Sequence, residues 1–185
     1  MLRIVRLCAL LMLSVLAHPA AAQQPARFSG NELIDAGHRF FGGVTEGLAK
    51  VVEHAVSKYG LPNGYVLGQE GGGAFIVGAR FGEGRLFTKN AGQLPVYWQG
   101  PSVGWDFGGE GARTMMLVYN LPAANAVYRR FGGVNGSAYL VGGVGMTVLS
   151  NGNIYVVPIQ SGVGARFGVN IGYLNFTDRP TWNPF

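Results

Sequence analysis

The feature that most constrains this chain is an alternation of period two in which one strand face is built largely from glycine. Phe75, Val77, Ala79 and Phe81 alternate with Ala74, Ile76, Gly78 and Arg80. Val103, Trp105 and Phe107 alternate with Ser102, Gly104, Asp106 and Gly108. Ala165, Phe167, Val169, Ile171 and Tyr173 alternate with Gly164, Arg166, Gly168, Asn170 and Gly172. Period two places successive side chains on opposite faces, so these runs read as strands. Glycine inside a strand marks a sharp bend or the close approach of another backbone. The chain carries 31 glycines in 185 residues, more than twice the usual share of about 7 %. They follow no three-residue period, which excludes a collagen-like chain. Plentiful aromatic residues and few charges exclude a disordered linker.

Further strand-like runs cover Arg113 to Asn120 ("RTMMLVYN"), Ser137 to Leu149, and Ile154 to Gln160 after the turn Asn151-Gly152-Asn153. Leu121 to Phe131 interrupts them with helical composition, Asn120 as its N-cap and Pro122 in its first turn. Seven or eight short strands of this kind predict a mainly β (α+β) fold, a small antiparallel soluble β-barrel, since closure removes the sheet edges. The glycine faces would allow tight curvature or receive a helix.

That helix precedes the strands. Ser29-Gly30-Asn31-Glu32 fits the S-x-x-E capping box. Behind it Leu33, Gly37, Phe40, Val44, Leu48, Val51, Ala55 and Tyr59 form an amphipathic stripe. Glu46, Lys50, His54 and Lys58 occupy the opposite face, and Gly60 and Pro62 end the helix. Gly42-Gly43 is the place where it would divide in two.

The first residues indicate the compartment. Arg3 and Arg6 precede an apolar stretch from Leu7 to Ala17, and Ala20-Ala21-Ala22 supplies small residues for cleavage. This is the pattern of a secretory signal peptide, too short to span a bilayer and cut before Gln23. The organisation expected is a signal peptide at 1–22, a leader and helical segment at 23–60, and a barrel at 61–185, helix and barrel forming one domain. Cys8, the only cysteine, leaves with the signal, so the mature chain has no disulfide and no thiol chemistry. The mature chain keeps twelve basic and nine acidic side chains, a net +3 with no charged block. Nucleic acid is therefore not an expected partner, and no transmembrane span is expected in the mature protein.

Gly100-Pro101-Ser102-Val103-Gly104 matches the G-x-S-x-G turn of serine hydrolases. Such a turn needs a helix after the serine, whereas the following residues alternate like a strand. It also needs a histidine base later in the chain, and His38 and His54 both precede Ser102. The motif is expected to be a chance product of high glycine content. No metal-ligand spacing and no nucleotide-binding loop is present, so neither cofactor nor metal is expected. The candidate ligand contacts are Arg80, Asp106, Glu110 and Arg166, charged residues on faces otherwise made of glycine and serine. Solvated surface, an internal ion-pair network and contact with a polar ligand all remain open for them.

From Lys58 to Thr147 the chain resembles the SYLF (Ysc84-type) lipid-binding domain. The resemblance rests on "YGLPNGYVLGQEGGGAFIVGARFGEGRLFTK", "PSVGWDFGGEGARTMMLVYNLPAANAVYRRF" and "AYLVGGVGMTV". More closely, the mature chain is similar to the alphaproteobacterial periplasmic family that includes envelope integrity protein EipA. That resemblance implies a small soluble barrel in the periplasm that supports cell-envelope integrity and assigns no catalytic residue. The expected function is non-enzymatic, with an envelope lipid or polysaccharide as partner. The alternatives are a structural or protein-interaction module with a filled barrel and no ligand, and a small hydrolase using Ser102.

Overall fold

A computed structural model describes residues 26–43, 46–73, 77–103, 112–161 and 172–181; at 72, 73, 77, 78, 102, 103 and 161 it describes the backbone alone. The expected signal peptide lies outside these residues. Helix α1, Gly30–Phe41, starts on the expected capping box: Ser29 accepts from the Glu32 amide, and Glu32 accepts in return from the Ser29 amide. Gly42 ends it in the left-handed conformation, φ 81°, so the double glycine divides the helical segment. Helix α2 runs Glu46–Tyr59, with Lys50 bonded to Glu46 at 2.6 Å.

Ten strands follow among the described residues: β1 Gly64–Gly73, β2 Val77–Thr88, β3 Gly92–Val103, β4 Ala112–Tyr119, β5 Arg130–Gly133, β6 Tyr139–Val141, β7 Val144–Met146, β8 Leu149–Asn151, β9 Ile154–Ser161 and β10 Tyr173–Thr177. Eight of them close a ring in the order β4-β1-β2-β3-β10-β5-β8-β9, shut by β4 against β9 from Thr114↔Gln160 to Tyr119↔Tyr155. Their pairings are antiparallel. The fold is thus the expected small barrel. β6 and β7 form a hairpin outside the ring, with β7 on the edge of β9 that β8 also uses.

Several local expectations change. Ser137 to Leu149 is not one strand, because Gly142 and Gly143 take positive φ (57° and 75°) and turn β6 back onto β7. Such φ values at both central residues suit the right-handed twist of a hairpin. Leu121 to Phe131 contains a single 3-10 turn, Ala124–Val127. Asn120 is no helix cap: it adopts φ 57° and donates from Nδ2 to the Asn153 carbonyl at 2.9 Å. The predicted turn at Asn151–Asn153 is present, with Gly152 at φ 58° between β8 and β9.

Two apolar cores share the wall of the barrel. Val66, Leu86, Val96, Met116, Val156 and Phe176 belong to the inner one. Leu48, Val51, Met115, Leu117, Val157 and Ile159 belong to the outer one, where α1 and α2 cover β4, β7 and β9. β4 is buried from Thr114 to Tyr119 on both faces, which explains why "TMMLVY" shows no polar alternation. The helices therefore cover β4, β7 and β9, while the glycine face of β1 to β3 turns inward.

Candidate functional site

Glycine decides where the Trp98 side chain can lie. Alternation from Val66 and Leu86 puts Gly68, Gly82 and Gly84 on the inner face. A Cβ at Gly82 would overlap the Trp98 indole, and one at Gly68 would stand 2.6 Å from its outer ring carbon. Trp98, opposite Gly82 in the β2–β3 register, thus fills the space two missing side chains leave. It is 1 % exposed.

The indole N–H points to a carboxylate. Trp98 Nε1 donates to Glu70 Oε2 at 3.0 Å. Glu70 Oε1 accepts from Gln160 Nε2 and faces Arg80 Nη1 at 3.5 Å. The Arg80 and Glu70 side chains are 8 % and 10 % exposed. Arg80 pairs with Gly72 on one side and Gly100 on the other, so no side chain stands directly opposite it, and Glu70 reaches it from the diagonal position on β1. In the described interior, this polar group lies at one end and the cluster around Val66, Leu86 and Phe131 is apolar. Among the described residues, Arg80 Nε and Nη2 have no hydrogen-bond partner, nor does the hydroxyl of fully buried Thr114.

Of the four predicted contacts, the structure places Arg80 inside the barrel in an ion pair. Asp106, Glu110 and Arg166 lie outside the described residues. The partner of Arg80 is Glu70, which sequence reasoning did not single out. Its signal was available: in "GQEGGG" Glu70 shares its parity with Gly68 and Gly72, the same pattern of a charge on a glycine face that marks Arg80. Ser102 belongs to β3, paired to Gly78 within the sheet, and not to a strand-to-helix turn. His54, expected on the open face of its helix, instead stacks on Tyr139 with ring centroids 3.9 Å apart. Among the described residues no group of three or more His, Cys, Asp or Glu is arranged to hold a metal ion.

The outer side of the same three strands carries a groove of about 440 Å³. Gln69, Phe81, Glu83, Tyr97 and Gln99 line it by alternation with the inward residues, and Pro180 and Thr181 close one side. Phe81 and Tyr97 are half-buried, Gln99 is buried, and Gln69 and Glu83 are exposed. Glu70, Gly82 and Trp98 border it as well, so the groove adjoins the polar cluster.

Comparisons with known proteins agree with this architecture. The model of the EipA (envelope integrity protein A) family matches residues 26–185. A crystal structure of a β-barrel-like, uncharacterised protein from Brucella abortus is 57 % identical, with a TM-score of 0.82 over 86 % of this chain and 99 % of that one. No curated protein matches the chain. With a family match over the helices, the barrel and both faces of β1 to β3, the chain belongs to the envelope integrity protein A family.

Proposed function

We propose that this protein supports envelope integrity as a non-enzymatic periplasmic protein, and that it does so by holding a segment of envelope glycan in the groove on β1, β2 and β3. The observation that carries this reading is the lining of that groove. The ring of Tyr97 offers a flat apolar face for sugar C–H groups, while Gln69, Glu83 and Gln99 offer donors and acceptors for hydroxyls. The volume of 440 Å³ lies within the range of small-ligand sites, which mix apolar walls with a few convergent polar groups. An acyl chain would require an apolar cavity, and the described part of the barrel interior is packed with Phe131, Phe176, Leu149 and their neighbours.

The non-enzymatic reading draws support from Ser102 lying within a paired strand and from both mature histidines lying on helices. Titration calorimetry with saccharide fragments of peptidoglycan and lipopolysaccharide tests the proposal. Saturable binding that Tyr97→Ala weakens at least tenfold, with an unchanged melting temperature, is the expected result. No binding by any fragment, or equal binding by the variant, contradicts it. The second reading, a structural module without a ligand, is favoured by the same packed interior, and absent binding would turn attention to it.

A further inference from the structure

The polar end of the barrel interior has chemistry that the groove does not use. We infer that the Nε–Nη2 edge of Arg80 is an anion site inside the barrel, taking a carboxylate or a phosphate group. Glu70 occupies the Nη1 side of the guanidinium at 3.5 Å. The Nε and Nη2 hydrogens, which point the same way as a parallel pair, have no partner among the described residues although the side chain is only 8 % exposed. That pair matches the two oxygens of a carboxylate or phosphate in bidentate geometry.

Three further observations separate this from an ordinary buried ion pair. Glu70 is already engaged by the Trp98 indole N–H and the Gln160 amide as well as by Arg80. It is therefore shared among three donors, and Arg80 presents its charge elsewhere as well. Second, Arg80 lies between Gly72 and Gly100 in register, so no side chain stands directly opposite it on β1 or β3. Third, the unpaired Thr114 hydroxyl belongs to the same inward face, opposite Gln160 and Gly68. Buried donors without partners are rare in native proteins and call for a water, an ion or a ligand.

Trp98 reports on the site through its bond to Glu70. The experiment follows its indole ¹H–¹⁵N resonance, assigned by its loss in Trp98→Phe, during titration with sodium acetate, sodium phosphate or sodium chloride at matched ionic strength. The inference predicts a saturable shift with acetate, phosphate or both, and no such shift with chloride. Comparing the acetate and phosphate titrations tells a carboxylate from a phosphate. Arg80→Lys keeps the charge but removes the fork, and should weaken the apparent affinity at least tenfold. If that variant fails to fold, the wild-type protein should still melt several degrees higher in the effective anion than in chloride. A response to chloride equal to the others, no response to any anion, or unchanged affinity in a folded Arg80→Lys protein overturns the inference. So does the absence of any anion-dependent rise in melting temperature where the variant does not fold.

Discussion

Glu32 joins two parts of the molecule through one carboxylate. It accepts from the Ser29 amide at 2.7 Å and the Ser29 hydroxyl at 2.8 Å, and pairs with Lys89 beyond β2 at 2.9 Å. The Ser29 amide, then Lys89 and the Ser29 hydroxyl, pull its pKa down from 4.5 to about 2. A folded-state pKa below the unfolded one stabilises the protein above the unfolded value, and this contribution disappears as pH falls through the folded one. The melting temperature of the wild type should therefore drop more steeply than that of Glu32→Gln between pH 4.5 and 2, the two converging near pH 2. Parallel curves would show that the capping bonds do not depend on charge. Tyr119 behaves differently. It is 1 % exposed, its hydroxyl has no partner among the described residues, and burial pushes its phenol up. An unsatisfied buried hydroxyl costs free energy, so Tyr119→Phe should be neutral or stabilise by up to about 1 kcal/mol in urea unfolding. A clear loss would mean that a partner is present in solution. The Ser29–Glu32 motif could be read from four letters because a cap is local. The Arg80–Glu70 pair could not, because it depends on which strand face closes inward.

At the scale of elements, glycine on β1 and β2 is a packing device for Trp98. Gly82 carries no positive φ, so alanine there is strained by contact and not by backbone conformation. Gly82→Ala should cost about 1–3 kcal/mol, the usual range for overpacking, read by urea unfolding monitored by fluorescence. Gly132 in β5 has open space around its Cβ direction, and Gly132→Ala should change stability by less than about 0.5 kcal/mol. Equal effects at the two positions would refute the packing role. Alternation foretold β2, and strand-like apolar runs foretold β4 and β9, yet two limits of pattern reading stand out. β1, "GYVLGQEGGG", was not separated as a strand because half of it is glycine and carries no hydropathy signal. Ser137 to Leu149 read as one run because its break lies in the backbone of Gly142 and Gly143, whose positive φ leaves no mark on hydrophobicity.

At the scale of the whole molecule, closure between β4 and β9 gives the barrel an inside and leaves three of its strands with two chemically distinct faces. The inner face carries Glu70, Arg80 and Trp98, and the outer face carries Gln69, Phe81, Tyr97 and Gln99. The barrel class was legible in the count and composition of the strands. The groove was not, since it needs Pro180 and Thr181 to lie beside strands roughly eighty to one hundred and ten positions earlier in the chain. The central claim is that this outer face of β1, β2 and β3 holds envelope glycan. The most direct measurement is a map of backbone amide shifts in the ¹⁵N-labelled protein during titration with the tightest-binding saccharide fragment. The account predicts saturable shifts concentrated at Gln69, Phe81, Glu83, Tyr97, Gln99 and Thr181, with the helix-covered strands β4 and β9 unmoved. Shifts confined to the helices, to the apolar end of the barrel, or to no residue at all would contradict it.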